Sequence, residues 1–386
     1  MFELVFLGTA AAVPSAERGS PALLVARGPA RFLVDCGEGT QRQLMRGELG
    51  FRGLGHVLLT HLHLDHVAGL AGLLATRQLY QLGGAIEIVG SRETVAFAHR
   101  YLSATVGTER EGGYRLRAVL PGLVLSRPGW RVTALPVAHR GTQSLGYLFE
   151  EETRRALLPD QLDALGVPEG PERAALASGH PIVLADGRSI TPEMVQGPNA
   201  PGAKLAIIGD VEEVASLVAP VSGADALVIE ATFLERDSAL AKSRGHLTAA
   251  AAARLAREAE VGELLLTHIS GRYRSEEILA EAVRLFPKAR VAADFDRVSV
   301  TPTPPPKQEG EGRGQAGVIR YRRRRGFRRE RRGESPPPFR RRRRSANSAR
   351  GNPIGGRCGA PARRGAARRA RHRSTPRRSS PSARRS

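Results

Sequence analysis

Three histidines and one aspartate occur within six positions of this sequence, in the stretch HLHLDH at residues 61–66. Imidazole nitrogens and carboxylate oxygens are ligands that zinc accepts. In a loop, His61 and His63 can point to one side while Asp65 and His66 turn to another, so this stretch can supply ligands to two adjacent metal ions. Burying so many polar groups without compensation is costly. The stretch therefore predicts a metal site.

Further candidate ligands lie where predicted strands end. His139 follows a strand predicted at 132–137, Asp210 follows one at 205–208, and His268 follows one at 263–267. Loops at strand ends are where α/β folds place functional side chains. One histidine in such a position is more often structural, but several together with residues 61–66 favour a shared site. His246 is a further candidate, whereas the histidines treated as background are His56, His99, His180 and His372.

Short β-branched and leucine-rich runs alternate with stretches of helical composition from residue 1 to about residue 302, the pattern of an α/β sandwich. Strands are predicted at 3–7, 22–26, 31–35, 56–60, 86–89, 132–137, 145–149, 205–208, 226–230 and 263–267, and helices at 40–46, 67–80, 92–102, 248–260 and 275–285. Between about residues 151 and 201 this periodicity fails, and glycine, proline and charged residues dominate. A connection of about 50 residues is unusually long, so it is either a functional insertion or a tolerated surface excursion.

The end of the chain has a different composition from the rest. Residues 301–386 contain 28 Lys and Arg against 4 Asp and Glu, whereas residues 1–300 contain 31 against 34. With almost no apolar residues, 303–386 is predicted to be a disordered Arg/Pro-rich tail. Three interpretations remain open: an RNA-binding arm, a solvated tail without a dedicated partner, or a reading frame that continues past the natural end. The net charge of +21 therefore does not indicate a nucleic-acid-binding fold.

Cysteine usage and the start of the chain indicate a compartment. The two cysteines, Cys36 and Cys358, do not suggest a disulfide framework or a cysteine zinc site. The apolar run at residues 1–7 has neither a basic region nor a cleavage site, and it is far shorter than a membrane span. We therefore expect a cytoplasmic protein without a membrane segment.

Motifs elsewhere in residues 1–300 add to the HLHLDH stretch: FLGT at 6–9, DCGEGTQ at 35–41, EATF at 230–233, GHLT at 245–248 and THISGRY at 267–273. Together with His139 and Asp210 they resemble ribonuclease Z, the tRNA 3′-processing endonuclease family of the metallo-β-lactamase fold. The HxHxDH pattern alone identifies only the superfamily, and the later motifs with the Gly/Pro-rich excursion favour ribonuclease Z. The resemblance implies an αββα sandwich with a projecting flexible arm, formed by residues 151–201.

The resemblance also implies two Zn²⁺ ions per chain. The ligands would be His61, His63 and His139 for one ion, Asp65, His66 and His268 for the other, and Asp210 as the bridge. The formal charges of two zinc ions, two aspartates and a bridging hydroxide leave one positive charge to face a phosphodiester. Two metals can activate the attacking water and stabilise the leaving oxygen together. Asp65 would also orient the hydroxide or accept its proton, and His246, held by Glu230, would be the general acid for the 3′ oxygen.

The implied partners are precursor tRNA and a second copy of the chain. In the family, the arm of one subunit grips tRNA away from the metals of the other subunit. Two other functions remain possible from the sequence. A phosphodiesterase of the same fold that acts on small or cyclic nucleotides would share every ligand without needing the arm. A non-enzymatic RNA-binding protein would rely on the Arg-rich tail, and the full set of seven ligands argues against it.

Overall fold

The computed structural model describes residues 1–302 and 321–322. In chain order its strands are β1 (Phe2–Gly8), β2 (Ala22–Arg27), β3 (Ala30–Val34), β4 (Leu54–Leu58), β5 (Ile86–Gly90), β6 (Tyr114–Ala118), β7 (Gly122–Arg127), β8 (Trp130–His139), β9 (Thr142–Glu151), β10 (Arg154–Leu157), β11 (Ile182–Val183), β12 (Ser189–Ile190), β13 (Gln196–Ala200), β14 (Lys204–Ile207), β15 (Ala226–Glu230), β16 (Glu263–Thr267), β17 (Ala289–Val291), β18 (Arg297–Val300) and β19 (Tyr321–Arg322). The α-helices are α1 (Thr40–Arg46), α2 (Leu64–Val67), α3 (Leu70–Leu79), α4 (Arg92–Thr105), α5 (Glu109–Gly112), α6 (Pro159–Ala164), α7 (Pro171–Ala177), α8 (Pro192–Val195), α9 (Val218–Val221), α10 (Ser238–Arg244), α11 (Ala249–Glu258) and α12 (Ser275–Val283). Short 3-10 helices occupy Ala215–Leu217 and Glu235–Asp237.

Two large sheets face each other across an apolar layer. One sheet has the strand order β19-β18-β1-β2-β3-β4-β5-β6, and the other has the order β17-β16-β15-β14-β9-β8-β7. Alternate residues of β1 serve the two faces of the first sheet: Leu4 and Phe6 pack in the core between the sheets, whereas Val5 and Leu7 pack in the core that contains residues of α1, α3 and α4. This is the two-residue periodicity of a strand with both faces covered.

Helices cover the outer faces of both sheets. Helices α11 and α12 belong to the apolar cluster on the outside of the second sheet. The four layers are therefore helix, sheet, sheet and helix, which confirms the predicted αββα sandwich. Within the second sheet β14, β15 and β16 are parallel. Because the carboxyl ends of parallel strands lie at one edge of a sheet, the residues that follow them are brought close together.

Several predicted elements differ from the observed ones. The strands β6, β7, β17 and β18 were not predicted, since they are short and their apolar alternation is weak; β7, for example, buries only Val124. The helix predicted at 67–80 begins only at Leu70, as α3, and a separate short helix, α2, ends at Val67. Gly69 lies at this break, and a Cβ there would be 2.0 Å from the carbonyl oxygen of Gly37. The close backbone approach explains why only glycine fits at the interruption.

The segment 151–201, in which the sequence shows no clear periodicity, contains short regular elements that were not predicted. Strand β10 pairs with β13 and β11 pairs with β12, and α6, α7 and α8 lie between them. The segment has its own apolar cluster, formed by Leu162, Val167, Leu176, Ile190 and Val195. Each element is too brief to produce a recognisable pattern by itself. We call residues 151–201 the arm segment below.

The predicted tail, 303–386, lies outside the described residues except for β19. That two-residue strand pairs antiparallel with β18, opposite Arg297 and Val298. The predicted boundary at residue 302 thus precedes a segment that joins the first sheet. Among the described residues, no helix is both long enough and apolar enough to cross a membrane.

Candidate metal centre and active site

His61, His63 and His139 converge from three elements: the loop after β4, the start of α2 and the end of β8. His61 Nε2 lies 2.8 Å from His63 Nδ1, and His139 Nε2 lies 3.3 Å from the same atom. Asp210, in the loop after β14, places Oδ2 3.6 Å from His61 Nε2 and 3.9 Å from His139 Nε2. Three ring nitrogens and one carboxylate oxygen therefore face a common point, which suits a four-ligand cation site.

Asp65, His66 and His268 form a second group beside the first. Asp65 Oδ2 lies 3.5 Å from Nε2 of both His66 and His268. Asp210 Oδ1 lies 3.4 Å from His66 Nε2 and 3.3 Å from His268 Nε2. The two oxygens of Asp210 thus face different groups of ligands. A carboxylate in this position can bridge two cations.

Three buried polar atoms in this centre lack a hydrogen-bond partner among the described residues: His66 Nε2, Asp210 Oδ1 and His268 Nε2. Each of these residues is at most 3% exposed. Leaving such atoms unsatisfied is costly, and a cation between them would satisfy all three. The donor set therefore fits a metal ion, and no thiolate takes part.

Asp35 orients His66 from the side away from the other ligands. Its Oδ2 lies 2.7 Å from His66 Nδ1, and its Oδ1 accepts a hydrogen bond of 2.8 Å from the backbone N–H of Thr60. The Thr60 hydroxyl in turn lies 3.0 Å from His61 Nδ1. Such contacts fix which ring nitrogen faces the metal. Asp35 was not predicted as a site residue, although its position at the end of a predicted strand is the same signal that identified the ligands.

Glu230 holds His246 at the edge of the centre. His246 Nδ1 lies 3.0 Å from Glu230 Oε1, and the same oxygen accepts a 2.8 Å hydrogen bond from the backbone N–H of Val211. The Thr232 hydroxyl donates to Glu230 Oε2 and also lies 2.9 Å from His268 Nδ1. The side chain of His246 remains 16% exposed while that of Glu230 is 1% exposed. His246 is therefore partly open to solvent, whereas Glu230 is enclosed by the protein.

Burial and neighbouring charges shift the pKa values of these groups in opposite directions. Burial lowers the pKa of His61, which keeps its ring neutral with a lone pair available. Burial would raise the pKa of Asp210, but the surrounding histidines, His268 first, hold it well below its usual range. For His66 and His246, by contrast, burial alone would lower the pKa. In His66 the carboxylates of Asp210 and Asp35 outweigh burial and raise the pKa. In His246 the Glu230 carboxylate does so, which favours a proton on that ring.

A loop after β1 contacts the same centre. The backbone N–H of Ala12 donates to Asp65 Oδ2 over 3.1 Å. Further along the loop, Arg18 donates to Ser275 Oγ over 2.9 Å and to the carbonyl oxygen of Ala292 over 2.8 Å. The loop is thereby tied both to a site carboxylate and to the end of the sandwich fold.

The structure brings all the predicted site residues together: His61, His63, Asp65, His66, His139, Asp210, Glu230, His246 and His268. Their assignment as ligands and catalytic groups stays a prediction. His56, treated as background, lies outside the cluster and stacks on Phe32 with ring centroids 4.9 Å apart.

Comparisons with known proteins agree with this geometry. The family model described as anti-Pycsar protein Apyc1 matches residues 2–122. Among solved structures, the metallo-β-lactamase fold protein YhfI from Bacillus subtilis aligns with a TM-score of 0.57 and 20% identity over 77% of this chain and 98% of that chain. The short form of human tRNase Z aligns with a TM-score of 0.55 and 27% identity over 77% of this chain and 99% of that chain.

Curated relatives are more similar in sequence. Ribonuclease Z of Bradyrhizobium diazoefficiens is 52% identical over 301 residues, which cover 78% of this chain and all of that protein. Ribonuclease Z of Archaeoglobus fulgidus is 38% identical over 311 residues, which cover 78% of this chain and 98% of that protein. With this identity over the full length of its relatives, and with the αββα fold and the His/Asp centre in place, the chain belongs to the ribonuclease Z family.

Proposed function

We propose that this chain is a zinc-dependent endoribonuclease that removes the 3′ trailer from precursor tRNA and leaves a 3′-hydroxyl on the tRNA. The observation that carries the proposal is the position of Asp210, whose two carboxylate oxygens face two separate groups of ligands. Membership of the ribonuclease Z family supports RNA as the substrate. The curated relatives align over nearly their whole length, so the arm segment is included in the match.

Two Zn²⁺ ions would be held by His61, His63 and His139, by Asp65, His66 and His268, and by Asp210 between them. When bound, zinc lowers the pKa of water and neutralises the charge of a phosphodiester. The protein contributes the orientation of each ligand. Asp35 and Thr232 contact the ring nitrogens of His66 and His268 on the side away from the centre, so those rings are positioned before a metal arrives.

The chain also supplies groups that move protons. In the proposed reaction a water oxygen bonds to phosphorus, the bond from phosphorus to the 3′ oxygen breaks, and the phosphate stays with the trailer. Asp65, whose carboxylate accepts from Ala12, would orient that water or accept its proton. His246 would donate a proton to the departing 3′ oxygen. Glu230 stabilises the protonated form of His246 and is itself fixed by Val211 and Thr232.

The arm segment is the proposed contact to the tRNA body, in a homodimer where it serves the metals of the partner. Its charges do not form a basic surface, because Arg173 pairs with Asp163 at 2.6 Å and Arg188 pairs with Asp186 at 2.7 Å. Recognition by the arm would therefore depend on shape and backbone groups. We propose the cytoplasm as the compartment, since a chain with two cysteines suits reducing conditions. The Arg-rich tail would add non-specific attraction to RNA.

Cleavage of a defined RNA tests the function. The full chain is incubated with a 3′-extended tRNA precursor, with mature tRNA as the control, and both product ends are mapped. We expect cleavage at the trailer junction, its loss after chelation and its recovery with added zinc. Turnover of cyclic nucleotides without RNA cleavage would favour the small-substrate phosphodiesterase instead. RNA binding without any hydrolysis would favour the non-enzymatic alternative.

A further inference from the structure

The hairpin turn between β8 and β9 contains an arginine in a conformation that arginine rarely adopts. Arg140 and Gly141, the two residues between the strands, have φ values of 46° and 69°. Positive φ at both central positions is typical of a type I′ turn, in which Asn-Gly is the favoured pair. An arginine with left-handed backbone is strained, and strain of this kind is often found at functional sites.

Two contacts of Arg140 involve neighbours of proposed site residues. Arg140 itself follows His139. Its backbone N–H donates to Glu212 Oε2 over 2.9 Å, and Glu212 lies two positions after Asp210. Its aliphatic stem lies against Gly245, where a Cβ would be 2.5 Å from Arg140 Cγ. Gly245 directly precedes His246.

The guanidinium group of Arg140 is left for an external partner. The residue is exposed, and its guanidinium makes no hydrogen bond or ion pair with the described part of the chain. The nearby Glu212 carboxylate binds the backbone N–H of Arg140 instead of its side chain. Through its Cγ and Cδ atoms, the stem of Arg140 lies against Gly245, in the segment that carries His246. Arg140 thus places a positive charge directly after His139 and against the residue that precedes His246, on a body whose first 300 residues carry slightly more acidic than basic groups.

We propose that Arg140 binds a phosphate of the RNA strand adjacent to the scissile phosphate. A guanidinium can donate two parallel hydrogen bonds to one phosphate, which gives orientation as well as attraction. Arg140 would position the strand so that the scissile bond lies between the metal centre and His246. This inference rests on the proposed function, because it takes RNA as the substrate.

The test compares Arg140→Asn with Arg140→Lys in the full chain. Asparagine removes the charge but suits the left-handed turn better than arginine does, so the fold and the metal content should be retained. We expect kcat/KM for the 3′-extended precursor to fall about tenfold, the typical loss for one charge-assisted hydrogen bond. Turnover of bis(p-nitrophenyl) phosphate should stay unchanged. The slope of log Kobs against log[salt] for RNA binding should decrease by about 0.7 to 0.9, and Arg140→Lys should restore part of the loss.

Arg127→Asn is the matched control. Arg127 is also an exposed arginine at a hairpin end, and the ten residues of β8 separate the two ends by about 30 Å. Arg127→Asn should change neither kcat/KM for the precursor nor the salt dependence of RNA binding. Unchanged RNA binding and cleavage in Arg140→Asn would overturn the inference, as would equal losses on both substrates or loss of metal. If the wild type binds the precursor without cleaving it, the proposed function fails. The difference in RNA affinity between Arg140→Asn and Arg127→Asn still decides the role of Arg140.

Discussion

Replacing Asp35 with asparagine tests whether the residues behind the ligands set the metal affinity. Asp35 has φ of 60°, a conformation that asparagine tolerates well, so the backbone should be preserved. At present Oδ1 accepts from the Thr60 N–H over 2.8 Å and Oδ2 lies 2.7 Å from His66 Nδ1, while the Thr60 hydroxyl lies within hydrogen-bond distance of both oxygens. An amide keeps only one acceptor oxygen. If that oxygen continues to face Thr60, an NH₂ group faces His66 Nδ1.

The expected effect acts through the choice of ring nitrogen in His66. Facing an NH₂ donor, Nδ1 is favoured without a proton, and the proton moves to Nε2, the atom that faces Asp210 and Asp65. A protonated Nε2 cannot bind a metal. Changes to such supporting residues typically lower metal affinity about 10- to 100-fold, which corresponds to about 1.4 to 2.7 kcal/mol. The variant should therefore release zinc at correspondingly lower concentrations of a competing chelator.

Asp225→Asn provides the control for the measurement. Asp225 is 5% exposed, as Asp35 is, and it accepts a 2.7 Å hydrogen bond from the backbone N–H of Lys204. It lies just before β15, at the end opposite Glu230. Both variants should lose about 1 to 3 kcal/mol of unfolding free energy in the metal-free state, but only Asp35→Asn should lose zinc affinity. Equal zinc affinity in Asp35→Asn and the wild type would refute the reasoning.

The remaining predictions concern the reaction, the arm segment and the tail. His246→Ala should keep its zinc and its RNA affinity while kcat for the precursor falls about 10²- to 10⁴-fold; metal analysis and single-turnover cleavage check this, and loss of zinc would make His246 structural. Deleting residues 154–196 should raise KM for precursor tRNA far more than for bis(p-nitrophenyl) phosphate, because the arm segment contacts substrate away from the reacting phosphate; equal losses would mean that it supports the fold or the dimer. Removing residues 327–386, which retains β19, should leave cleavage specificity intact and reduce the salt dependence of RNA binding; identical slopes would show that the tail does not touch RNA.

The fold was predictable wherever local sequence carried a strong pattern. Strands such as β1 and β15 are buried along almost their whole length, so their runs of apolar residues stand out from the surrounding sequence. Helix α1 was predicted with its observed bounds. By contrast, β6 and β7 are mainly polar or exposed. Their strand conformation comes from pairing with β5 and β8, which no local pattern reveals.

The sequence by itself determined which residue types are available for chemistry and which of them lie at the ends of strands. The HLHLDH stretch and the residues at the end of β8 and after β14 and β16 were identifiable because several metal-ligating residue types occur together at strand ends. Only the tertiary structure decided how they are grouped. The division of Asp210 between two groups of ligands depends on how the two sheets pack, because its partners His66 and His268 follow strands of different sheets. The support of His66 by Asp35 depends on the pairing of β3 with β4 within one sheet. His139 contacts the carbonyl oxygen of Gly245 although the two residues are 106 positions apart in sequence. Sequence spacing carries no information about these distances, because they are set by the alignment of strand ends across the sandwich.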